Sequence, residues 1–174
     1  MWLTSDEFNI VHASDASIST ETASSAETCA RVNMGRYQSM MAIVQMGKND
    51  VTTSNLWVRV QAAVSTLPTA TTAIALGGTT GAWAYRYATS DAVSASTANA
   101  NPVYSARTAG VSSALVLTSG AGATYIVEVK SDDLPAGYPY LSLSISAALA
   151  FRPCTVTYIL KPRYPQFTML NAQS

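Results

Sequence analysis

Charge is what this sequence has least of. Asp, Glu, Lys and Arg together make up 11% of its 174 residues, against about 25% in ordinary soluble domains. Histidine occurs once, at His12, and cysteine twice, at Cys29 and Cys154. Two cysteines do not make a disulfide framework, so reduced thiols are expected. Zinc favours clustered Cys and His, and here they are scattered. Nucleophilic devices of the Ser-His-Asp or Cys-His kind need an imidazole held rigidly by an orienting partner. His12 lies in an N-terminal stretch with no clear periodicity, a poor place to hold one. No apolar run is long enough for a membrane span, and Met1-Trp2-Leu3-Thr4-Ser5-Asp6-Glu7 lacks the basic and apolar regions of a signal peptide. Synthesis in a cytoplasm is therefore expected, with no membrane partner. Net charge is zero and the pI is about 6.5, which leaves nucleic acid without a basic surface to bind.

Other chemistry is equally thin. A glycosidase needs two opposed carboxylates about 5–10 Å apart, and the local candidates are Glu128 with Asp132 or Asp133. Glu128 alternates outward beside Lys130, which reads as a solvated strand face. Asp132-Asp133 reads as turn chemistry before it reads as a calcium site. Gly77-Gly78-Thr79-Thr80-Gly81 lacks the Gly-Lys-Ser/Thr of a phosphate loop. No catalytic, cofactor-binding or metal-binding residue is assigned, no cofactor is expected, and the chain is not expected to be an enzyme.

What is there is β pattern. Hydrophobic residues make up 48% of the chain, enough for a full core. Apolar and polar residues alternate with period two. The clearest strand is Leu141-Ser142-Leu143-Ser144-Ile145-Ser146, with Leu141, Leu143 and Ile145 expected inward and the serines outward. Thr155–Leu160, Tyr125–Lys130, Trp83–Tyr87 and Leu56–Gln61 follow. Shorter candidates are Cys29–Asn33, Gln38–Gln45, Val103–Arg107 and Ala114–Thr118. Glycine-, Asp- and Pro-rich turns separate them. Ser65–Leu76 and Thr89–Pro102 read as long loops. The expected fold is all-β, a jelly-roll-like sandwich of about eight to ten strands with an extended N-terminal arm. Residues 1–28 form the arm, 29–165 the sandwich and 166–174 a C-terminal tail.

A surface of Ala, Ser and Thr loses little rotamer entropy and desolvates no ions when covered, which suits contact with other proteins. The charges present are polarised. Asp6, Glu7, Asp15, Glu21 and Glu27 open the chain without a base, while Arg152, Lys161 and Arg163 close it. Phe8 and Ile10 are apolar enough to dock on a neighbour. Asp6, Glu7, Phe8, Ile10, Lys161, Arg163 and Tyr164 are therefore the protein-contact candidates.

The run Leu134-Pro135-Ala136-Gly137-Tyr138-Pro139-Tyr140, the Leu141–Ile145 strand and the closing Tyr158-Ile159-Leu160-Lys161-Pro162-Arg163-Tyr164 resemble the β-sandwich decoration or cement proteins that coat tailed-bacteriophage capsids. The resemblance covers about residues 123–165. It implies a jelly-roll or related sandwich without enzymatic activity, located on the capsid surface of a virion. It also implies a homo-dimer or homo-trimer that clamps neighbouring major capsid protein subunits. A receptor- or glycan-binding module of a phage tail or head fibre shares the β-richness and low charge, and is the alternative. For that alternative Trp57, Trp83, Tyr85 and Tyr87 would be the sugar-stacking platform. Aromatics at period two on a strand otherwise belong to a core.

Overall fold

Among the described residues the backbone follows the period-two pattern into twelve strands arranged in two six-stranded antiparallel sheets. The structure is a computed structural model that describes residues 8–13, 27–46, 56–66, 74–76, 83–89, 104–110, 115–117, 123–147 and 154–163. In one sheet the order is β1 (Asn9–His12), β12 (Cys154–Pro162), β4 (Tyr37–Met46), β10 (Ala123–Lys130), β7 (Trp83–Thr89) and β8 (Thr108–Ala109). In the other, β11 (Tyr140–Ala147) lies between β5 (Leu56–Ala63) and the short pair β2 (Glu27–Thr28) and β3 (Val32–Asn33). The far edge of β5 carries β6 (Ile74–Ala75) and β9 (Leu115–Leu117).

The pairings nest. β1 joins β12, β2 and β3 join β11, β4 joins β10, and β5 joins β9. This is one long hairpin, and rolling it creates the two further pairings, β12 with β4 and β11 with β5. Two sheets formed from a rolled hairpin make a jelly roll. The segment between β5 and β9 supplies β6, β7 and β8, and the last two widen the first sheet beyond β10.

Between the sheets lie Met40, Ala42 and Val44 of β4, Val127 and Val129 of β10, Val156, Tyr158 and Leu160 of β12, Leu141, Leu143 and Ile145 of β11, and Val58 and Val60 of β5. Two aromatic tips cross this core. The Trp83 indole N–H on β7 donates to the Leu76 carbonyl beside β6, at 2.8 Å. The Tyr158 hydroxyl on β12 accepts from the Leu143 N–H on β11, at 2.9 Å. That N–H faces an irregularity: three residues lie between Thr28 and Val32, against two between their partners Ser144 and Leu141. The extra residue bulges the β2–β3 side. Burial pushes the Tyr158 hydroxyl well above its ordinary pKa, so it stays neutral. Each tip satisfies a buried polar group that would otherwise cost about 1–3 kcal/mol.

Glycine is required at two positions. A Cβ on Gly110 would lie 2.1 Å from the Trp83 ring, so only a bare backbone can pass the indole. Gly137 has φ +85°, and the Tyr138 N–H donates to the Pro135 carbonyl at 3.1 Å. Gly137 is thus the third residue of a four-residue turn from Pro135 to Tyr138, the position where a type II turn needs positive φ.

Two expectations change. The sandwich begins before residue 29: Asn9–His12 form the edge strand β1, paired residue for residue with Leu160–Thr157. Val11 there packs against the core, which the polarity of the surrounding stretch concealed. The outer serines of β11 are not solvated, since Ser142 and Ser144 are buried along with their apolar neighbours. Across the β5 ladder they face Gln61 and Arg59, and on their other side lies the bulge. A small side chain on a central strand disappears between longer ones.

Cys29 and Cys154 are buried thiols, not joined in a disulfide. Residues 1–7 and 14–26, which hold most of the expected arm, 90–102, which hold most of one expected loop, and 166–174, the expected tail, lie outside the described residues.

Candidate protein-docking face

The alternation that sends Val127, Val129, Val156 and Tyr158 inward sends a second set outward on the sheet of β1, β12, β4, β10, β7 and β8. The ladders align that set into rows. One row runs Ile10, Ile159, Met41, Glu128 and Ala84 across β1, β12, β4, β10 and β7. The next runs His12, Thr157, Ile43, Ile126 and Arg86. An outward antiparallel face ordinarily reads polar, yet these rows carry Ile10, Ile159, Met41, Ile43 and Ile126 as touching cross-strand or same-face neighbours. Ile10 is 72% exposed and is the most exposed large apolar side chain among the described residues. The other four are half-buried.

Beyond Ile159 and Met41 the next row is Lys161, Ser39 and Lys130. Phe8 flanks this end, and together they line a groove of about 290 Å³ with Met41 and Ile159 among its lining side chains. Neither lysine has an ionic partner among the described residues.

Arginine behaves differently here. Glu128 is held between Arg86, at 2.8 Å, and Arg107, at 2.7 Å. The hydrogen bond from Arg107 lowers the carboxyl's pKa, partial burial opposes it, and the Arg86 bond and both positive charges lower it further. The result lies below the ordinary 4.5. A carboxylate kept charged with both oxygens occupied is the opposite of a general acid. Its partner in the sugar-cleaving pairing fares no better, because Asp132 accepts from Arg163 at 3.1 Å. Among the described residues no three of His, Cys, Asp and Glu cluster as metal ligands, and no helix is long and apolar enough to cross a membrane.

The contact candidates separate. Phe8 and Ile10 stand on this face with Lys161. Arg163 is engaged inside the fold: its guanidinium donates to the Tyr37 carbonyl at 3.3 Å, the Ser131 hydroxyl at 2.7 Å and Asp132. It fastens the turn after β10 to the start of β4. Asp6, Glu7 and Tyr164 lie outside the described residues. The aromatic set does not assemble into one platform. Trp83 is buried, Tyr85 packs against the core, and Trp57 belongs to the other sheet. Tyr87 is 40% exposed, stacked on Tyr125 at 5.4 Å.

Sequence reasoning missed Met41, Ile43 and Ile126. A signal existed in Met40-Met41-Ala42-Ile43-Val44, an unbroken apolar run of the kind carried by strands covered on both faces. No family model, curated protein or solved structure matches the chain.

Proposed function

We propose that this chain is a structural virion protein that binds the outside of an assembled phage capsid and stabilises it by bridging major capsid subunits. The observation that supports the reading is the apolar stripe on the outward face of the sheet that holds β1, β12 and β4, centred on Ile159, Met41 and the exposed Ile10. Contiguous exposed apolar surface on a soluble domain marks an interaction site. The scarcity of charge lowers the desolvation cost of covering that face.

The mechanism is mass action. A protein that binds only the assembled shell stabilises it by an amount that grows with the logarithm of its saturation. A homo-oligomer placed on a symmetry axis links several contacts and raises avidity without new chemistry. The fit to capsid coating comes from the jelly-roll fold with the turn and closing strands described above.

The test is co-sedimentation with empty expanded shells of the major capsid protein encoded by the same phage. The chain should pellet saturably with the shells. Ile159→Asp with Met41→Asp should weaken binding at least about tenfold, which is 1.4 kcal/mol. Thr155→Asp, an exposed outward position further along β12, should change nothing. Native affinity in the double variant would sink the assignment of this face. Failure of the native chain to pellet would sink the capsid role.

A further inference from the structure

We propose that strand β1 pairs with β1 of a second copy, antiparallel and centred on Val11, so that two molecules share one continuous sheet. Three observations lead there. The first is the edge itself. β1 ends its sheet, and no strand among the described residues lies beyond it. It is four residues long, against two for β8 at the other end and two or three for β2, β3, β6 and β9 in the second sheet. An edge strand offers its outward N–H and C=O groups as a template for another strand, and lysine, proline or a bulge commonly blocks that use. Asn9-Ile10-Val11-His12 contains neither lysine nor proline, and it runs along β12 without a register shift.

The second is which backbone groups point out. The Ala13 N–H donates to the Val156 carbonyl at 2.9 Å, in register with the β1–β12 ladder. Hydrogen-bonded pairs alternate along an antiparallel ladder. Asn9 and Val11 therefore direct their backbone groups to Leu160 and Tyr158, and Ile10 and His12 turn theirs to the free edge. Setting Ile10 opposite His12 of the second copy makes a bonded pair, and symmetry makes the same pair again with the roles exchanged. Val11 then faces its own equivalent on the two-fold axis. The edge is complementary to itself in this register.

The third is Ile10. Its 72% exposure is the largest of any large apolar side chain among the described residues. In the shared sheet His12 of the second copy lies directly beside it, and that copy's Ile10 stands diagonally, about 7–8 Å away. The two His12 side chains are diagonal neighbours in the same way. The row Met41-Ile159-Ile10 continues into His12, Thr157 and Ile43 of the second copy. The Lys161-Ser39-Lys130 row comes into line with the uncharged row Thr155-Gln45-Thr124. No lysine is set against a lysine.

The inference does not rest on the capsid reading, because it concerns the edge of the sheet and not its outward face. It gives the dimer two copies of that face on one surface, and linked contacts raise avidity.

Sedimentation equilibrium and amide hydrogen exchange of the full chain test it together. The chain should behave as a reversible monomer–dimer. Exchange of the Ile10 and His12 amides should slow at least about tenfold as the dimer fills, while the Val11 and Ala13 amides, bonded to β12, stay protected throughout. His12→Pro removes an outward donor and leaves the bonds to β12 in place, so it should weaken the dimer at least about tenfold. If that variant does not fold, Ile10→Lys, at an exposed position, should do the same. A monomer at every concentration would overturn the proposal, whatever else covers the edge. So would a dimer that both variants leave intact, or Ile10 and His12 amides that exchange alike in monomer and dimer.

Discussion

Strands β11 and β12 carry similar alternation in sequence and end in different surroundings. In β12 the pattern is realised as written: Cys154, Val156, Tyr158 and Leu160 are buried, while Thr155 and Lys161 are exposed. In β11 every residue from Leu141 to Ile145 is buried, serines included. Alternation specifies which side chains share a face, and one such face turns to the core. It says nothing about what lies over the other face. For β12 that face is the outward surface of its own sheet, where the apolar stripe of Ile10, Ile159 and Met41 lies. For β11 it stands opposite Gln61 and Arg59 across the ladder and beside the bulge between β2 and β3, where Arg31 is itself buried and donates to the Ser65 carbonyl at 3.0 Å.

The sharpest way to break this comparison is to place the same charge on both outer faces. Ser142→Lys should destabilise the fold by about 3 kcal/mol or more, because the ammonium lands where nothing is solvated. Thr155→Lys should stay within about 0.5 kcal/mol. Urea unfolding of the two variants measures both, and equal costs would erase the distinction between the faces.

The inward faces should behave alike. Leu143→Ala should cost about 2–5 kcal/mol by opening a cavity between the sheets. Tyr158→Phe keeps the ring and orphans the Leu143 N–H, for about 1–3 kcal/mol. Leu143→Ala keeps the backbone N–H that donates to the Tyr158 hydroxyl, so the two variants remove different interactions, a cavity contact in one and a hydrogen bond in the other.

A smaller effect separates the outward face by pH. The folded pKa of Glu128 is depressed below 4.5, so its contribution is fully present above the unfolded value and is lost as pH falls through the folded one. Glu128→Gln should remove that part of the acid limb, leaving stability flatter below pH 4.5. An unchanged acid limb in the variant would mean that the two arginines do not hold the carboxylate in solution.

The smallest effect is the most diagnostic of β11. The Ser142 hydroxyl is buried without a hydrogen-bond partner among the described residues. Ser142→Ala should therefore be neutral or stabilising by up to about 1 kcal/mol. A loss larger than that would reveal a partner for the hydroxyl.

Much of the fold was legible because β structure writes itself in short-range terms. Tyr125–Lys130 showed Glu128 and Lys130 sharing a face opposite Val127 and Val129, as the structure has them. The turn at Gly137 was readable because a positive φ selects for a missing side chain. The stripe Ile10–Ile159–Met41 was not readable, since its members come from positions 10, 159 and 41. Only strand pairing across the sandwich brings them together. The occupation of Arg163 was hidden for the same reason, its acceptors Tyr37, Ser131 and Asp132 being supplied by other parts of the chain.

By itself the sequence determined the class of the fold, the inward residues of its long strands and the places where the chain turns. Each of these depends on the local stereochemistry of a few consecutive residues. The tertiary structure decided the rest: that residues 9–12 are an edge strand, that Ser142 lies in the interior, and that one outward face gathers apolar side chains beside two lysines with no ionic partner among the described residues. Those outcomes depend on which strands become neighbours when the hairpin rolls. Nesting and rolling join residues more than a hundred positions apart, beyond the reach of any local pattern.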